Sequence, residues 1–243
     1  MLEKKKDILK ITIIYDNNSF NPALKVAWGF SCLIEGLEKK ILFDTGGDGK
    51  ILIKNMENLG INPKDIKLIF LSHNHWDHIG GLMDFLNKNP NVVIYLLSSF
   101  PEEIKNSIKN KNAKFIEIKK PIYICEKVST TGQLGTFIKE ESLVIETKKG
   151  LVIITGCAHP KIVHIIKFVK DYFKKDIYLA IGGFHLKGFS DNELKKIIQQ
   201  FRKLGVKKVG PCHCRGERCR ELFKGEYQKD YIEIGVGKII NVE

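Results

Sequence analysis

Three of the chain's seven histidines fall within six positions, in His73-Asn74-His75-Trp76-Asp77-His78. An apolar run, Ile66 to Leu71, reads as a buried strand before them, and a helical pattern, Ile79 to Leu86, follows. Imidazoles and a carboxylate gathered out of water at a strand end need a partner, and a divalent transition metal suits that mixture. On extended backbone His73 and His75 project to the same side and can grip one ion. Asp77 and His78 come after the chain turns toward the helix, so they point elsewhere and can serve a second. A two-metal centre makes a water nucleophilic near neutral pH, polarises an oxygen and clamps a polyanion. One or two divalent ions are therefore expected, zinc first, with manganese, iron or magnesium as the other candidates.

Further candidates lie downstream. His159 follows a strand-like run in Thr155-Gly156-Cys157-Ala158-His159-Pro160, and His213 stands in Gly210-Pro211-Cys212-His213-Cys214. Beside the first cluster, both read as its missing ligands. His185 closes Gly182-Gly183-Phe184-His185 after another strand. Asp44, at the end of the strand from Lys40, either caps the loop that follows or accepts a hydrogen bond from a ligating histidine. Cys212, Cys214 and Cys219 lack the paired Cys-x2-Cys of thiolate zinc and iron–sulfur sites, so Cys214 reads as a thiol lining the pocket. Arg215, Arg218 and Arg220 share a loop in this reading, which is either a solvated basic turn or a phosphate clamp.

The elements that must position these groups alternate along the chain. Strands are expected over 8–15, 28–35 and 40–44, then a helix over 50–59, the strand at 66–71 and a strand over 92–97. A helix over 101–112 leads to short strands at 115–118 and 122–124, a turn-rich stretch at 128–135, and strand-like segments at 136–138 and 142–146. The second half repeats the logic. Strand 150–156 precedes helix 162–173, and strand 177–181 precedes a helix that Ser190 and Glu193 start as a capping box and Leu204 ends. Strand 206–209 then leads to His213, and strands at 231–234 and 238–242 finish the chain. Three times a strand ends and a histidine follows at once. Two sheets flanked by helices, with the strand-end loops gathered at one edge, satisfy that recurrence. No linker divides the chain, so residues 1–243 are expected to form one domain.

Composition narrows the function. Of 243 residues 43 % are hydrophobic and 28 % charged, which is ordinary for a soluble globular protein. No apolar run reaches the ~18–20 residues that would span a bilayer. Met1 to Asp7 carries charges with no apolar segment behind them, so a cytoplasmic protein is expected. Six cysteines in a chain of this length fit free thiols. The formal charge of +12 favours a small anionic substrate. Its lysines are scattered in pairs without aromatics, which argues against nucleic acid as the partner. The oligomeric state stays open.

The form His-x-His-x-Asp-His, with a strand before it, a helix after it and Gly80-Gly81 behind, resembles the signature of the metallo-β-lactamase superfamily. That resemblance implies an α/β fold, the αβ/βα sandwich of two β-sheets flanked by helices. It implies His73, His75 and His159 around the first ion, Asp77, His78 and His213 around the second, and Asp44 supporting a ligating histidine. Asp77 and His185 become the catalytic candidates. The superfamily usually has a bridging aspartate where this chain reads Ile181-Gly182-Gly183-Phe184-His185, which leaves His185 as ligand, proton donor or substrate contact. The segments Gly156-Cys157-Ala158-His159-Pro160, Gly182-Gly183-Phe184-His185-Leu186 and Pro211-Cys212-His213-Cys214 are similar to those of a narrower subgroup. These are the dihydropterin-6-methyl-(ribofuranosyl)aminobenzene 5′-phosphate synthases of methanopterin-type synthesis. The implied reaction is a condensation in which an arylamine displaces pyrophosphate from a pterin methyl pyrophosphate, with His185, Cys214, Arg215 and Arg218 as substrate contacts. The alternative is a metallohydrolase of a small anionic phosphodiester, lactone or thioester.

Overall fold

The computed structural model describes residues 8–214 and 216–243. The expectations placed on Met1 to Asp7 and on Arg215 lie outside the described residues. In chain order the first half runs β1 (Leu9–Tyr15), β2 (Ser31–Glu35), β3 (Ile41–Phe43), α1 (Gly49–Asn58), β4 (Leu68–Phe70), α2 (Trp76–Ile79), α3 (Leu82–Lys88), β5 (Val93–Leu97), α4 (Glu102–Asn110) and β6 (Lys114–Ile118). The second half runs β7 (Tyr123–Cys125), β8 (Val128–Thr130), β9 (Leu143–Thr147), β10 (Gly150–Thr155), α5 (Ile162–Phe173), β11 (Ile177–Gly183), α6 (Asp191–Lys203), β12 (Lys208–Cys212), α7 (Glu217–Tyr227) and β13 (Ile239–Val242).

Two mixed sheets result, ordered β13-β1-β2-β3-β4-β5-β6 and β12-β11-β10-β9-β8-β7. The inner strands are buried on both faces, as in β3, β4 and β10, which explains their near-continuous apolar runs in the sequence, while β6, β7 and β13 are partly exposed. Alternate side chains go to different cores. Ile34, Ile41, Phe43, Leu68 and Phe70 meet Val152, Ile154, Leu179 and Ile181 between the sheets. Leu33, Leu42 and Ile69 face outward to α1 and α3, through Leu52, Met56, Phe85 and Leu86. Leu151 and Ile153 face outward to α5, α6 and α7, through Ile165, Ile198 and Phe223. Each such side chain contributes about 1.5–3 kcal/mol by leaving water. The capping box that starts α6 is present, with Ser190 accepting from the Glu193 amide and Glu193 reaching back. Among the described residues no helix is long and apolar enough to cross a membrane.

Strand direction is what positions the site. β3, β4 and β5 run parallel, and β1, antiparallel to β2, shares the direction of β3. β10, β11 and β12 are likewise parallel to one another. The carboxyl ends of β1, β3, β4, β10, β11 and β12 therefore open at one edge, where ligands enter sheets of this kind.

Several expected elements differ. The helix expected over 79–86 is two helices, α2 and α3, and the two residues between them must be glycine, because a Cβ on Gly80 or Gly81 would overlap the carbonyl oxygen of Gly47 or Thr45. The break lets the His78 carbonyl accept from both the amide and the hydroxyl of Thr45, at 2.7 and 3.0 Å. Segment 136–138 is not a strand; Leu134 and Glu140 pair as an isolated bridge around it. The turn-rich stretch contains β8, and 231–234 is reduced to a bridge between Val209 and Tyr231. Arg218 and Arg220 sit on α7 rather than in a loop.

Candidate metal centre

Asp44 is fully buried at the end of β3 and ties the edge together. Its carboxylate accepts the Ser72 amide and the Ser72 hydroxyl, both at 2.7 Å, and pairs with His78 Nδ1 at 2.7 Å. These bonds fix tautomers. Ser72 gives its only hydroxyl proton to Asp44, so its oxygen accepts from His73 Nδ1 at 2.9 Å. His73 Nε2 is thereby left as a lone pair, whereas His78 Nε2 meets the Cys157 thiol at 3.2 Å, and although burial opposes it the Asp44 carboxylate raises the His78 pKa. His213 behaves as His73 does: its Nδ1 donates to Asn17 Oδ1 at 3.0 Å, and its backbone amide donates to Asp16 Oδ2 at 3.2 Å. The register between β1 and β2 slips between Ile13 and Tyr15, a bulge just before Asp16 and Asn17.

The donors fall into two groups. One holds His73, His75 and His159, with one nitrogen from each within 4.8 Å of the others. Their rings lie 4.6 to 5.0 Å apart, centre to centre. The other gathers Asp77, His78 and His213 with Cys157, again within 4.8 Å. The two meet where the His73 and His78 rings are 4.3 Å apart. All six ligands expected from the sequence thus converge on one edge.

The donor set fits a cation. Among the described residues, the buried Nε2 atoms of His73, His159 and His213 have no hydrogen-bond partner. His213 Nε2 stands 3.1 Å from Asp77 Oδ2 without the geometry of a hydrogen bond. A lone pair facing a carboxylate at that range is repulsive unless positive charge lies beside both. Burial, then neighbouring imidazoles, hold His73 well below the usual histidine range, and the same causes push His159 down to about 3. Burial also lowers His75. Neutral imidazole is the form that ligates a metal.

Backbone strain concentrates here. Asp44, Ala158, His185 and His213 all have positive φ, between 50 and 61°. Such conformations cost of order 1 kcal/mol each and persist where surrounding bonds impose them. Gly156 is needed for close approach, since a Cβ there would overlap Ser72 Oγ and lie 3.1 Å from His73 Nδ1.

The loop carrying His159 is held by a residue that sequence reasoning missed. Glu140, 1 % exposed, accepts the amides of Gly156, Cys157 and Ala158 on Oε1 at 2.8 to 3.1 Å, and that of His159 on Oε2 at 2.8 Å. Burial lifts its carboxyl to about 7 against those four bonds. Ser72, Asp16, Asn17 and Cys157 were missed as well. None of them has a signature spacing, and each matters only through the fold.

The remaining expected residues are placed as follows. His185 is exposed at the mouth, its ring 4.5 Å from that of His159. Cys214 is buried, its Sγ 3.7 Å from the Cys157 carbonyl. Arg218 lies on α7 and is already paired. Its exposed guanidinium binds Asp191 and Glu221, a pairing of α6 with α7 rather than an open anion contact. Trp28, unremarked in the sequence, packs against the His213 ring at 5.0 Å, with Lys187 Nζ 5.7 Å over its face. A cleft of about 530 Å³ lined by Leu9, Leu37, Ile145 and Val242 lies at the opposite ends of the strands, and no histidine or cysteine lines it.

The metallo-β-lactamase superfamily profile matches residues 29–171. The chain belongs to the metallo-β-lactamase superfamily. Divalent metal use comes with that superfamily, and the donor sets above are where this member has room for it. The chain is 32 % identical to the 7,8-dihydropterin-6-methyl-4-(β-D-ribofuranosyl)-aminobenzene-5′-phosphate synthase of Methanocaldococcus jannaschii, over 97 % of each protein. The superfamily member Tm1679, described as a metal-dependent hydrolase, is 30 % identical, with a TM-score of 0.81 over 96 % of this chain and 99 % of that one. YhfI of Bacillus subtilis shares the fold at 16 % identity, with a TM-score of 0.74 over 98 % and 100 % of the two chains.

Beneath the centre, Glu141 is fully buried and accepts a hydrogen bond from the Thr130 hydroxyl. Burial lifts its carboxyl from 4.5 to about 8. Between those values the folded protein binds more protons than the unfolded chain, so stability falls as pH rises across that window. Glu141→Gln is expected to flatten the decline, measured as urea-unfolding free energy against pH in both proteins. Parallel profiles would exclude a protonated Glu141.

Proposed function

We propose that this chain, acting as a single domain, is a metal-dependent synthase that joins a dihydropterin methyl pyrophosphate to a ribofuranosyl aminobenzene 5′-phosphate. Its likeness to the M. jannaschii synthase along nearly the whole of both proteins carries this reading. In the condensation the arylamine nitrogen forms a bond to the pterin methylene carbon, the bond from that carbon to pyrophosphate oxygen breaks, and the amine releases a proton. His73, His75 and His159 would hold one ion, and Asp77, His78 and His213 the other. Bound ions, zinc first, would supply positive charge that offsets the charge of the departing pyrophosphate.

The chain's own groups support the rest. A hydrogen bond with Cys214, opposed by burial and aided by the charge of Glu140, raises the pKa of His185. From the mouth of the site, its ring N–H can donate to a pyrophosphate oxygen. Trp28, 41 % exposed, offers a flat wall against which an aromatic substrate ring can lie. Lys187 over that ring adds positive charge for an anionic substrate, and the overall charge of +12 acts in the same direction. Cys214 lines the floor between His185 and Cys157.

Metal-loaded protein incubated with both pathway substrates is expected to form the condensed pterin and pyrophosphate in equal amounts. Hydrolysis of bis-p-nitrophenyl phosphate or of lactones, with no condensation, would overturn the synthase reading in favour of the hydrolase.

A further inference from the structure

We infer that the Cys157 sulfur is a ligand of the second ion, which makes that site a mixed oxygen, nitrogen and thiolate centre built from Asp77, His78, Cys157 and His213. The inference rests on the two-ion reading above and adds to it a ligand that the histidine motif does not contain.

The geometry carries it. Cys157 Sγ is hydrogen-bonded to His78 Nε2 at 3.2 Å, on the side of the ring opposite the Nδ1 that Asp44 holds, so a cation between them would take the place of the shared proton. One ligand atom from each of the four residues falls within 4.8 Å of the other three. Two of the four, His78 and Cys157, are 0 and 4 % exposed, and His213 is 3 % exposed with a bare Nε2 aimed into the group. The segment Ile181–His185 contains no carboxylate and gives this group no ligand.

The position of Cys157 is imposed from its backbone. Its amide is bonded to Glu140 Oε1 at 2.9 Å, and Ala158 after it adopts φ 61°. Gly183 leaves no side chain on the far side, since a Cβ there would sit 2.8 Å from Cys214 Sγ and 3.0 Å from Cys157 Cα. Cys214 and His185 share a second grouping with Cys157, so the sulfur is approached by polar groups on both sides. A cation brought to this point displaces the thiol proton and takes the thiolate. One sulfur, two imidazoles and a carboxylate form a set suited to zinc or iron(II) over magnesium or manganese.

Cobalt(II) titration of the metal-free full chain tests this, because a cobalt–thiolate bond gives a near-ultraviolet charge-transfer band. The expected result is two cobalt ions bound, the band present in wild type and in Cys214→Ser, and the band absent in Cys157→Ser. Should Cys157→Ser not fold, wild type and Cys214→Ser decide the matter together. Two cobalt ions bound with no band overturn the Cys157 assignment and leave the two-ion reading intact, as does a band lost in Cys214→Ser. Failure of wild type to bind a second cobalt overturns the two-ion reading itself.

Discussion

Asp44→Ala is expected to cost roughly 3–5 kcal/mol of stability and to weaken metal binding by roughly 10–100-fold. The carboxylate is fully buried and satisfies three donors, the Ser72 amide, the Ser72 hydroxyl and His78 Nδ1. Its removal strands all three, since Ser72 and His78 are fully buried as well. Both metal groups feel the loss. His78 is freed to rotate, and Ser72, which sets the His73 tautomer, loses the acceptor that fixes its own proton. Asp44→Asn is a sharper probe, because its amide nitrogen would oppose His78 Nδ1–H or the Ser72 donors. Urea midpoints and zinc titration by calorimetry read the two effects. A stability within about 0.5 kcal/mol of wild type, with unchanged zinc affinity, would remove Asp44 from the centre.

Glu140→Ala is the second large effect. Four consecutive amides, Gly156 to His159, end on this one side chain. Each buried donor left unmade costs about 1–3 kcal/mol, and water entering the gap recovers part of that, so a net loss of about 3 kcal/mol is expected. The loop should also release His159, so the variant is expected to lose one ion that Glu140→Gln, which keeps one acceptor oxygen, partly retains. His159→Ala should lose the same ion with a smaller stability change, since it keeps the amide cradle. A full complement of metal in Glu140→Ala would show that the His159 loop holds its shape unaided.

That the six expected residues would come together at one edge was legible because strand-end histidines carry their own signal. A run such as Ile66–Leu71 announces a buried strand, and His73 and His75 must then stand at its exit. The sandwich was legible for the same reason: strands buried on both faces read as continuous apolar segments. What escaped was anything whose role depends on distant neighbours. Glu140 lies between a loop and β9 and looks like surface charge until the fold wraps the His159 loop around it. Asp16 and Asn17 follow a bulge with no sequence mark. Arg218 could not be placed from sequence. Its clustering with Arg215 and Arg220 left a solvated basic turn and a phosphate clamp both open, and the segment from Glu217 instead forms α7 and packs Cys219, Phe223 and Tyr227 inward. Arg218 then meets Asp191 at the start of α6. The break at Gly80-Gly81 was equally invisible, because it is set by the Thr45 and Gly47 carbonyls of another loop.

Anomalous diffraction from crystals of the zinc-loaded protein tests the two-ion centre most directly. Two peaks are predicted at the strand-end edge, one among His73, His75 and His159 and the other among Asp77, His78 and His213. A single peak, or peaks whose neighbours exclude His159 or His213, would contradict it.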